Sequence, residues 1–443
     1  MSVPTYARYK DSGVEWLGEV PQHWGLSPVC AVAYERDEPN VGMIESNLLS
    51  LSYGRIVQKD MASNDGLLPE SFETYQLVRP GDIVFRLTDL QNDKRSLRTA
   101  IVTETGIITS AYLAVVPTAI HPSYANHLVR AYDTTKVFYS MGGGLRQSMK
   151  FSDIKRMPVL VPPLVEQVAI ATFLDHETAK IDALVAEQQR LIELLTEKRQ
   201  AVISHAVTKG LNPNTPMKDS GVEWLGEVPA HWSVVSLKKV LEVKDGTHDT
   251  PQYVEEAADA FPLITSKDFV DSEISFDDAK YISAADHLEV VRRSNTEQGD
   301  VLMSMIGGNI GKAVVVETDR AFSIKNVALF KTRGSAPLAK FLLYYLQSGL
   351  LDIQIDLVSR GGAQGFLGLS DIRNLLYFKM PHAEMASLVG DIEHRLKPID
   401  ELIQAGEGIL ALMQERRTAL ISAAVTGKID VRSMVGHTEP TPA

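Results

Sequence analysis

Apolar residues follow a heptad spacing over two long stretches of the chain. In the first stretch they fall at alternating steps of three and four residues when the polar positions Glu177, Gln188 and Lys198 are counted, and no proline occurs between Leu164 and Lys209. Such spacing predicts a coiled-coil helix, about 69 Å long at 1.5 Å per residue. The same positions are apolar 218 residues later, although we expect Pro398 to interrupt that second helix. The predicted seam consists of Leu174, Ile181, Leu184, Leu191, Leu195, Val202, Ile392, Ile399, Leu402, Ile409, Met413 and Leu420.

Short runs of β-branched and aromatic residues, broken by Gly, Asn and Asp, precede each of these stretches. The runs LLSLSYGRIV, GDIVFRL and AYLAVVP come before the first stretch, and FPLIT, GDVLMSMIG and NVALFK come before the second. This punctuation is typical of short strands joined by turns. The pattern therefore predicts two mixed, strand-rich domains, each followed by a long helix.

The chain contains an internal repeat. The string KDSGVEWLGEVP occupies residues 10–21 and again residues 218–229 without a substitution. Later anchors, such as Gly81-Asp82 and Gly299-Asp300, lie 218 positions apart. Two halves of the chain therefore share one plan.

The identical string is poorly suited to distinguish one half of the protein from the other. We therefore expect it to join a domain to a helix, and not to recognise a ligand that differs between the halves. Ser12 and Glu15 have the spacing of a capping box, which predicts one short helical turn that ends at Gly18.

These patterns predict an α+β protein in which two strand-rich domains are joined by two long antiparallel coiled-coil helices with pseudo-twofold symmetry. The helices should be antiparallel because the first leads the chain to the second domain and the second must return along it. A seam shared by both copies favours this pairing over packing of each helix on its own domain. The predicted boundaries are residues 1–160 and 218–379 for the domains, 161–210 and 380–430 for the helical regions, 211–217 for a linker and 431–443 for a tail.

Composition is that of an ordinary globular protein. Of the 443 residues, 44% are hydrophobic and 23% are charged, and no apolar run reaches the roughly 18 to 20 residues of a membrane span. No basic segment leads into an apolar core near Met1, so we expect no export signal. Cys30 is the only cysteine, which excludes an internal disulfide and a multi-cysteine metal site and favours a cytoplasmic location.

The usual catalytic patterns are missing from the sequence. It contains no phosphate-binding loop motif, and its eleven histidines lack metal-site spacing. Asp278-Ala279-Lys280 could be half of a nuclease motif, but no matching Pro-Asp precedes it. Two similar domains at a fixed separation instead suit the recognition of two sites on one ligand, and a DNA duplex offers such sites.

At these motifs the chain resembles the specificity (S) subunits of type I restriction-modification systems. The resemblance rests on KDSGVEWLGEVPxHW at the start of each half, the Gly-Asp strand, and the Ser-Asp-Ile segment that leads through VPPLVEQVAIATFLD into the long helix. It implies that the two domains are target recognition domains for double-stranded DNA. One departure is HAEMASLVG at the start of the second helix, which with Pro398 and three glycines implies looser or kinked packing.

The resemblance also implies a set of partners. Two methyltransferase (M) subunits would dock on the chain and methylate adenine N6, and restriction motor-nuclease (R) subunits would join for cleavage. S-adenosylmethionine is expected on the methyltransferase subunits, whereas this chain would bind no cofactor, contact no membrane and catalyse nothing.

Turn-rich segments with cationic and amide side chains are the candidates for DNA contact. The net charge of −12 argues against a general phosphate-binding surface, so contacts must come from local clusters. Arg and Gln suit guanine and adenine edges in the major groove, and Lys suits phosphates. The candidates are Arg86, Gln91, Lys94, Arg95, Arg98, Arg146, Gln147, Thr247, His248, Lys267, Asn309, Lys312, Lys325, Arg360 and Gln364.

Two other functions are compatible with the sequence. The acidic charge and long helices also fit a coiled-coil adaptor between proteins that does not recognise DNA. An orphan nuclease would use the Asp278 to Lys280 segment.

Overall fold

The computed structural model describes residues 4–60, 71–90, 97–140, 148–270, 272–358 and 366–434. Contacts divide the chain into two compact units. The first contains residues 1–188 and 408–443, and the second contains residues 189–407. Each unit therefore combines a sheet-containing domain with parts of two long helices.

The first unit is built from short strands around one helix-covered sheet. In chain order its described strands are β1 (Tyr9–Asp11), β2 (Glu19–Pro21), β3 (Gly25–Pro28), β4 (Ala33–Glu35), β5 (Leu49–Ser52), β6 (Arg55–Gln58), β7 (Gln76–Val78), β8 (Ile83–Phe85), β9 (Thr99–Ile101), β10 (Gly106–Ile108), β11 (Leu113–Pro117) and β12 (Pro158–Val161). Its helices are α1 (Val29–Val32), α2 (Pro122–Thr134), α3 (Phe151–Ile154), a 3₁₀ turn (Val137–Ser140) and the beginning of α4 (Leu164–Lys209).

An antiparallel sheet in the order β4-β11-β8-β9 is central to this unit, and the other strands form two-stranded ladders. The largest core cluster joins this sheet to helix α2 through buried side chains such as Phe85 and Leu128. Leu174 of α4 and Ile421 of the C-terminal helix belong to the same cluster. The long helices are therefore part of the core of the domain.

The second unit repeats this plan with longer excursions. Its strands are β13 (Met217–Asp219), β14 (Glu227–Pro229), β15 (Ser233–Ser236), β16 (Glu242–Asp245), β17 (Tyr253–Val254), β18 (Phe261–Ile264), β19 (Phe269–Val270), β20 (Glu273–Ile274), β21 (Lys280–Ile282), β22 (Val301–Ser304), β23 (Ala313–Val315), β24 (Ser323–Ile324), β25 (Val327–Lys331) and β26 (Leu376–Lys379). Its helices are α5 (Ala284–Ser294), α6 (Ala336–Gln347), α7 (Leu350–Val358), α8 (Leu369–Asn374), the beginning of α9 (His382–Val425) and 3₁₀ turns at Leu237–Lys239, Ser266–Asp268 and Gly307–Asn309.

Its main sheet has the order β16-β25-β22-β23, which matches the sheet of the first unit strand for strand. A second sheet, β17-β21-β18-β24, contains the parallel pair β18 and β24. The predicted fold class, α+β with strand-rich domains and two long helices, is confirmed. No helix in the described part of the chain is long and apolar enough to cross a membrane.

The repeated Gly-Asp pair anchors the main sheet in each unit. Asp82 is buried and accepts hydrogen bonds from the guanidinium of Arg36 at 2.6 and 2.9 Å. Asp300 is equally buried and accepts a hydrogen bond from Lys331 at 2.5 Å. Burial alone would lower the pKa of Lys331, but its hydrogen bonds to Asp300 and Glu297 raise it overall. The repeat therefore keeps the buried carboxylate and changes the cation that neutralises it.

The long helices run antiparallel within the first unit. Leu174, near the start of α4, shares a core cluster with Val425, at the end of α9. Further along α4, Asp182 accepts a hydrogen bond from Arg417 Nε at 2.8 Å. Since Arg417 precedes Val425 while Asp182 follows Leu174, the two segments have opposite directions.

The second unit contains the repeat copy of this ion pair. Arg199 Nε donates to Asp400 Oδ1 at 2.8 Å, and both residues lie 218 positions from their counterparts Arg417 and Asp182. Ile203 and Ile392 share a core cluster beyond this pair, so the helices are antiparallel here too. The predicted antiparallel pairing is confirmed in each unit taken separately.

The predicted seam is wrong at one position in each of four heptads. Leu184, Leu191, Leu402 and Ile409 are exposed, by 54, 47, 57 and 42% respectively. The residue after each of them is half-buried instead: Val185, Ile192, Ile403 and Leu410. Each site is a pair of adjacent apolar residues, and spacing alone cannot decide which member faces inward.

The remaining seam residues have inward positions. Leu174, Ile181, Ile392 and Ile399 are buried. The other four, Leu195, Val202, Met413 and Leu420, are half-buried. These residues recur at seven-residue intervals, which fits a coiled-coil layer.

Helix α4 has the bounds that the sequence pattern predicts. The interruption expected at Pro398 is wrong, because α9 continues through it from His382 to Val425. A proline in a helix removes one N–H donor and strains the preceding turn. Leu396 and Ile399 on either side are buried in the helix packing, which offsets this cost.

The repeated string forms a β-hairpin whose loop contains the short turn that we expected, since Leu17 N and Gly18 N donate to Val14 O at 3.0 and 3.1 Å. The expected capping box is wrong, because Ser12 N bonds to Gly18 O and not to Glu15. Strands β1 and β2 pair in one copy, and β13 and β14 pair in the other. Ser12 N donates to Gly18 O at 3.0 Å, which closes the loop, and Ser12 Oγ accepts from Val14 N at 3.2 Å. Glycine at position 18 permits a φ of +60° at the end of the turn.

A buried tryptophan after each hairpin connects the start of one long helix to the domain. Trp24 Nε1 donates to Glu166 Oε2 at 3.0 Å, and His23 Nε2 lies 2.7 Å from Glu166 Oε1. In the other copy Trp232 Nε1 donates to Glu384 Oε1 at 2.9 Å. Glu166 and Glu384 lie in the first turns of α4 and α9.

The end of the other long helix meets the same tryptophan. In the first unit, Gly427 follows α9 and lies so close to Pro21 and Trp24 that a side chain there would collide with Pro21. In the second unit, Gly210 follows α4 and lies against Trp232. The hairpin and its tryptophan therefore join both long helices to the domain, as we expected of the repeated string.

Replacing the buried carboxylate of the Gly-Asp pair should destabilise the unit that contains it. Asp82→Asn should lower the free energy of unfolding of the first unit by about 3 kcal/mol, because the buried guanidinium of Arg36 loses its buried counter-charge and keeps only the partly exposed Glu38. Asp300→Asn should act likewise on the second unit. Native-state hydrogen exchange of β8 and β22 would report each unit separately.

Asp37→Asn is the matched control, since Asp37 is exposed. It should change stability by no more than about 0.5 kcal/mol. Exchange rates in Asp82→Asn that equal those of the wild type would show that the pair does not stabilise the sheet.

The two glutamates at the helix starts should differ in importance. Glu166→Gln should cost the first unit about 1–3 kcal/mol, since the buried carboxylate accepts hydrogen bonds from Trp24 and Tyr6. Glu384→Gln should cost less, because the Glu384 side chain is 35% exposed. Hydrogen exchange of α2 and α6 measures both effects, and equal losses would contradict this ranking.

Candidate nucleic-acid interface

An open cleft in the second unit brings several predicted contact residues together. It encloses about 590 Å³ and is lined by side chains from four connections between strands. Lys267 and Lys325 come from the sequence prediction, and Lys280 and Tyr253 join them. Lys267, Lys280 and Tyr253 are exposed. The cleft therefore presents cations and an aromatic ring to solvent.

Capping interactions fix the turn that contains Lys267. Thr265 N donates to the Asp268 carboxylate at 2.7 Å, and the Thr265 hydroxyl donates to the same oxygen at 2.8 Å. The 3₁₀ turn Ser266–Asp268 is thus closed by the residue before it and by its own last residue. Lys267 lies on the outer side of a turn that has little freedom to move.

Lys325 and Asn326 form the opposite wall of the cleft. Lys325 N donates to Ile264 O at 2.9 Å, which continues the pairing of β24 with β18. Asn326 has a φ of +55°, a conformation that Asn tolerates better than most residues. The Lys325 ammonium donates to the hydroxyl of Thr250 and is half-buried, so it is less available than Lys267.

Thr247 and His248 contact Lys325 and Asn326 and hold this wall of the cleft in place. Thr247 forms a parallel bridge with Lys325, directly after Gly246, where a side chain would collide with Ile324. His248 Nδ1 lies 3.0 Å from Asn326 Oδ1, and its Nε2 lies 3.0 Å from Asp245 Oδ2. Both ring nitrogens are occupied, so His248 positions the loop and does not offer a nitrogen to a base.

Asn309 and Lys312 lie in the neighbouring Gly-rich connection. Asn309 is exposed in the 3₁₀ turn Gly307–Asn309, and its carbonyl accepts from Lys312 N at 3.0 Å. The Lys312 ammonium donates to the carbonyl of Phe269. Lys312 therefore ties two loops together, whereas the Asn309 side chain is turned to solvent.

The first unit buries one of its predicted contact residues. Arg98 is fully buried, and its guanidinium donates to the carbonyls of Thr88 at 2.9 Å and Asp89 at 3.4 Å. The prediction that Arg98 contacts a groove is wrong, because burial and these bonds give it a role inside the domain. Arg86 is half-buried, and its N–H donates to Arg98 O at 2.8 Å.

The other predicted contact residues lie outside the described residues. They are Gln91, Lys94, Arg95, Arg146, Gln147, Arg360 and Gln364. The sequence pattern indicated Lys280 only as part of a nuclease motif, whereas the structure places it in the same cleft as Lys267. Its position in a short strand at the cleft depends on the pairing of β21 with β18, which no local pattern gives.

The nuclease-like pair Asp278 and Lys280 lines the same cleft, together with Asp268. The Asp268 carboxylate is engaged by Thr265, as described above. Across the residues that the structure describes, no group of three or more His, Cys, Asp or Glu side chains is placed to hold a metal ion. The geometry thus gives the nuclease hypothesis no specific support.

Comparison with known proteins finds several relatives that are specificity subunits of type I restriction enzymes. No family model matches the chain. The MjaVIII specificity subunit of Methanocaldococcus jannaschii, a type I restriction enzyme subunit, is 24% identical over 289 residues, which are 64% of this chain and 64% of that protein. The EcoBI specificity subunit of Escherichia coli is 24% identical over 275 residues, which are 61% of this chain and 58% of that protein. The match spans about three fifths of both relatives.

Two further matches extend over almost the whole chain. The EcoKI specificity subunit of Escherichia coli is 18% identical over 434 residues, which are 93% of this chain and 90% of that protein. A chain from a solved structure of the type I R-M system has a TM-score of 0.64 at 15% identity, over 92% of this chain and 98% of that one, which shows a common fold. The repeated architecture, these sequence matches and the common fold agree, and this chain is similar to the specificity subunits of type I restriction enzymes.

Proposed function

We propose that this protein is the non-catalytic DNA-recognition subunit of a type I restriction-modification complex and binds a bipartite, asymmetric target. The single observation that supports this most is the repetition of one framework with different loops on it. Both units keep the hairpin, the Trp–Glu contact, the Gly-Asp anchor and the helix ion pair. The connections after β5 and β18 differ in length and in residues.

Asymmetric recognition follows from this division. A framework that is the same in both units holds each domain in the same way. Loops that differ present different donors, so the two halves of a target would have different sequences. Half-sites on one face of a duplex lie about 34 to 36 Å apart per helical turn.

Local charge supports DNA as the ligand in spite of the net charge of −12. Lys267 and Lys280 are exposed at the rim of one cleft, where two phosphates could be neutralised. Phosphate contacts orient a protein on DNA, whereas base contacts determine sequence. We assign Lys267 and Lys280 to phosphate contact.

The similarity to type I restriction enzyme specificity subunits supports a set of partners. We propose that two methyltransferase subunits dock on this chain and methylate adenine N6 with S-adenosylmethionine that they bind themselves. Restriction motor-nuclease subunits would join for cleavage. A cytoplasmic location, supported by the single cysteine, completes the proposal.

Removing the cleft lysines should weaken DNA binding without changing its sequence preference. Lys267→Ala and Lys280→Ala should each reduce the slope of log affinity against log salt by about 1, since each removes one phosphate contact. Titration of labelled target DNA with the complex at several salt concentrations measures this. Lys267→Arg is the matched control and should keep the slope; an unchanged slope in both alanine variants would remove the cleft from the interface.

Methylome sequencing of cells that produce the chain with its methyltransferase partner should give one split motif. Its two parts should differ in sequence, because the loops of the two units differ. A continuous palindromic motif would contradict bipartite recognition.

Two other outcomes would favour other functions. An adaptor would show no sequence-specific DNA binding even with the methyltransferase present. A nuclease would cleave DNA in a metal-dependent manner as the purified chain alone, which we do not expect.

A further inference from the structure

A two-residue turn joins β5 and β6 in the first unit and presents Tyr53 to solvent. Ser52 pairs with Arg55, so Tyr53 and Gly54 alone make the turn. Their φ angles are +45° and +76°, as a type I′ turn requires. Tyr53 is 84% exposed, the highest value among the exposed large apolar side chains of the described residues.

Tyrosine is an unfavourable residue for this position. Type I′ turns prefer Asn or Asp at the first central residue, because a bulky side chain is strained at positive φ. An exposed ring gains no packing energy that could offset this strain. Strain in a bulky residue without any packing benefit is a reason to look for a function.

The side chain of Arg130 holds this turn in place. The buried guanidinium of Arg130 donates to Gly54 O at 2.6 Å and to the carbonyl of Thr99. A side chain at Gly54 would collide with Arg130, so only glycine fits there. Burial lowers the pKa of Arg130 to about 10, which leaves it protonated at neutral pH.

A second contact fixes the hairpin to helix α4. Arg55 Nη2 donates to Asp182 Oδ2 at 3.3 Å, and Asp182 also accepts from Arg417 of α9. The backbone of the tip is therefore held in place by two contacts, and its tyrosine ring extends into solvent. Such preorganisation lowers the entropy cost of binding.

The topology relates this turn to the lysine cleft of the second unit. Strand β5 is preceded by a parallel bridge between Leu48 and Ile107, next to β10. In the second unit Ile264, the last residue of β18, pairs in parallel with Ile324 of β24. Lys325 N donates to Ile264 O, and Ile107 N, 218 positions earlier, donates to Asn47 O, so β18 corresponds to the segment that ends at Asn47. The hairpin β5–β6 therefore corresponds to the hairpin β19–β20, which follows Lys267 in the chain. Tyr53 and Lys267 thus lie in neighbouring parts of the same segment of the two domains.

We infer that Tyr53 contacts the bases of one half-site and helps to determine its sequence. This inference rests on the proposed function. The phenol ring offers an apolar surface for a thymine methyl group or an unstacked base, and its hydroxyl can donate to a base acceptor.

Tyr53→Asn tests the inference, because Asn suits the turn. The variant should assemble with the methyltransferase and unfold at the same or a higher temperature than the wild type. Its affinity for the target, determined beforehand by methylome sequencing, should fall at least tenfold. The methylation motif should relax in one half only, and Tyr53→Phe should separate the effect of the hydroxyl from that of the ring.

Tyr34→Asn is the control, since Tyr34 is 51% exposed on the regular strand β4. It should leave affinity and motif unchanged. Tyr53→Asn with wild-type affinity and motif would overturn the inference, as would a variant that fails to assemble with the methyltransferase, which would make Tyr53 a protein contact. If the wild-type complex itself lacks sequence-specific binding, the proposed function fails.

Discussion

The contact between a helix glutamate and a buried indole holds each unit together. Trp24 with Glu166, and Trp232 with Glu384, lie where one long helix begins and the other ends. The indole N–H needs a partner once it is buried, and the carboxylate at the helix start provides one. The negative charge also interacts favourably with the dipole at the N-terminus of the helix. One pair of residues therefore connects the hairpin, the domain core and both helices.

The two copies of this contact are not equally insulated from water. Glu166 is buried and also accepts a hydrogen bond from Tyr6, while Arg432 from the C-terminal segment lies 3.7 Å away. Burial, with the nearby Glu166 charge, raises the pKa of Tyr6, so its hydroxyl remains a donor. Glu384 contacts His231 and Trp232 and is more exposed. The first unit thus encloses its contact with segments from both ends of the described chain.

The constant framework leaves the connecting loops free to differ. After β5 the first domain has a tight hairpin with an aromatic tip, and after β18 the second has a capped turn with a lysine. Neither Tyr53 nor Lys267 takes part in the Trp–Glu contact, so substitutions at these two positions leave that contact intact. The proposed recognition of two different half-sites requires this separation between the residues that hold the domains and the residues that contact DNA.

The sequence by itself determined the repeat, the fold class, the bounds of α4 and the antiparallel direction of the helices. These features depend on periodicity and chain connectivity, which are local or topological properties. It also located the repeated string at the joint, although the string forms a hairpin because Ser12 bonds to Gly18 and not to Glu15.

Tertiary structure decided the features for which two local solutions were equally good. At the doublets Leu184-Val185 and Leu402-Ile403 both residues fit the heptad, and only the packing of a neighbouring helix selects the second. Arginine is a residue type that suits DNA contact, but the fold buries Arg98 against the carbonyls of Thr88 and Asp89. Conversely, Lys280 and Tyr53 acquire their exposed positions from strand pairing. Periodicity specifies which faces are apolar, whereas the partner of each face depends on residues far away in the chain.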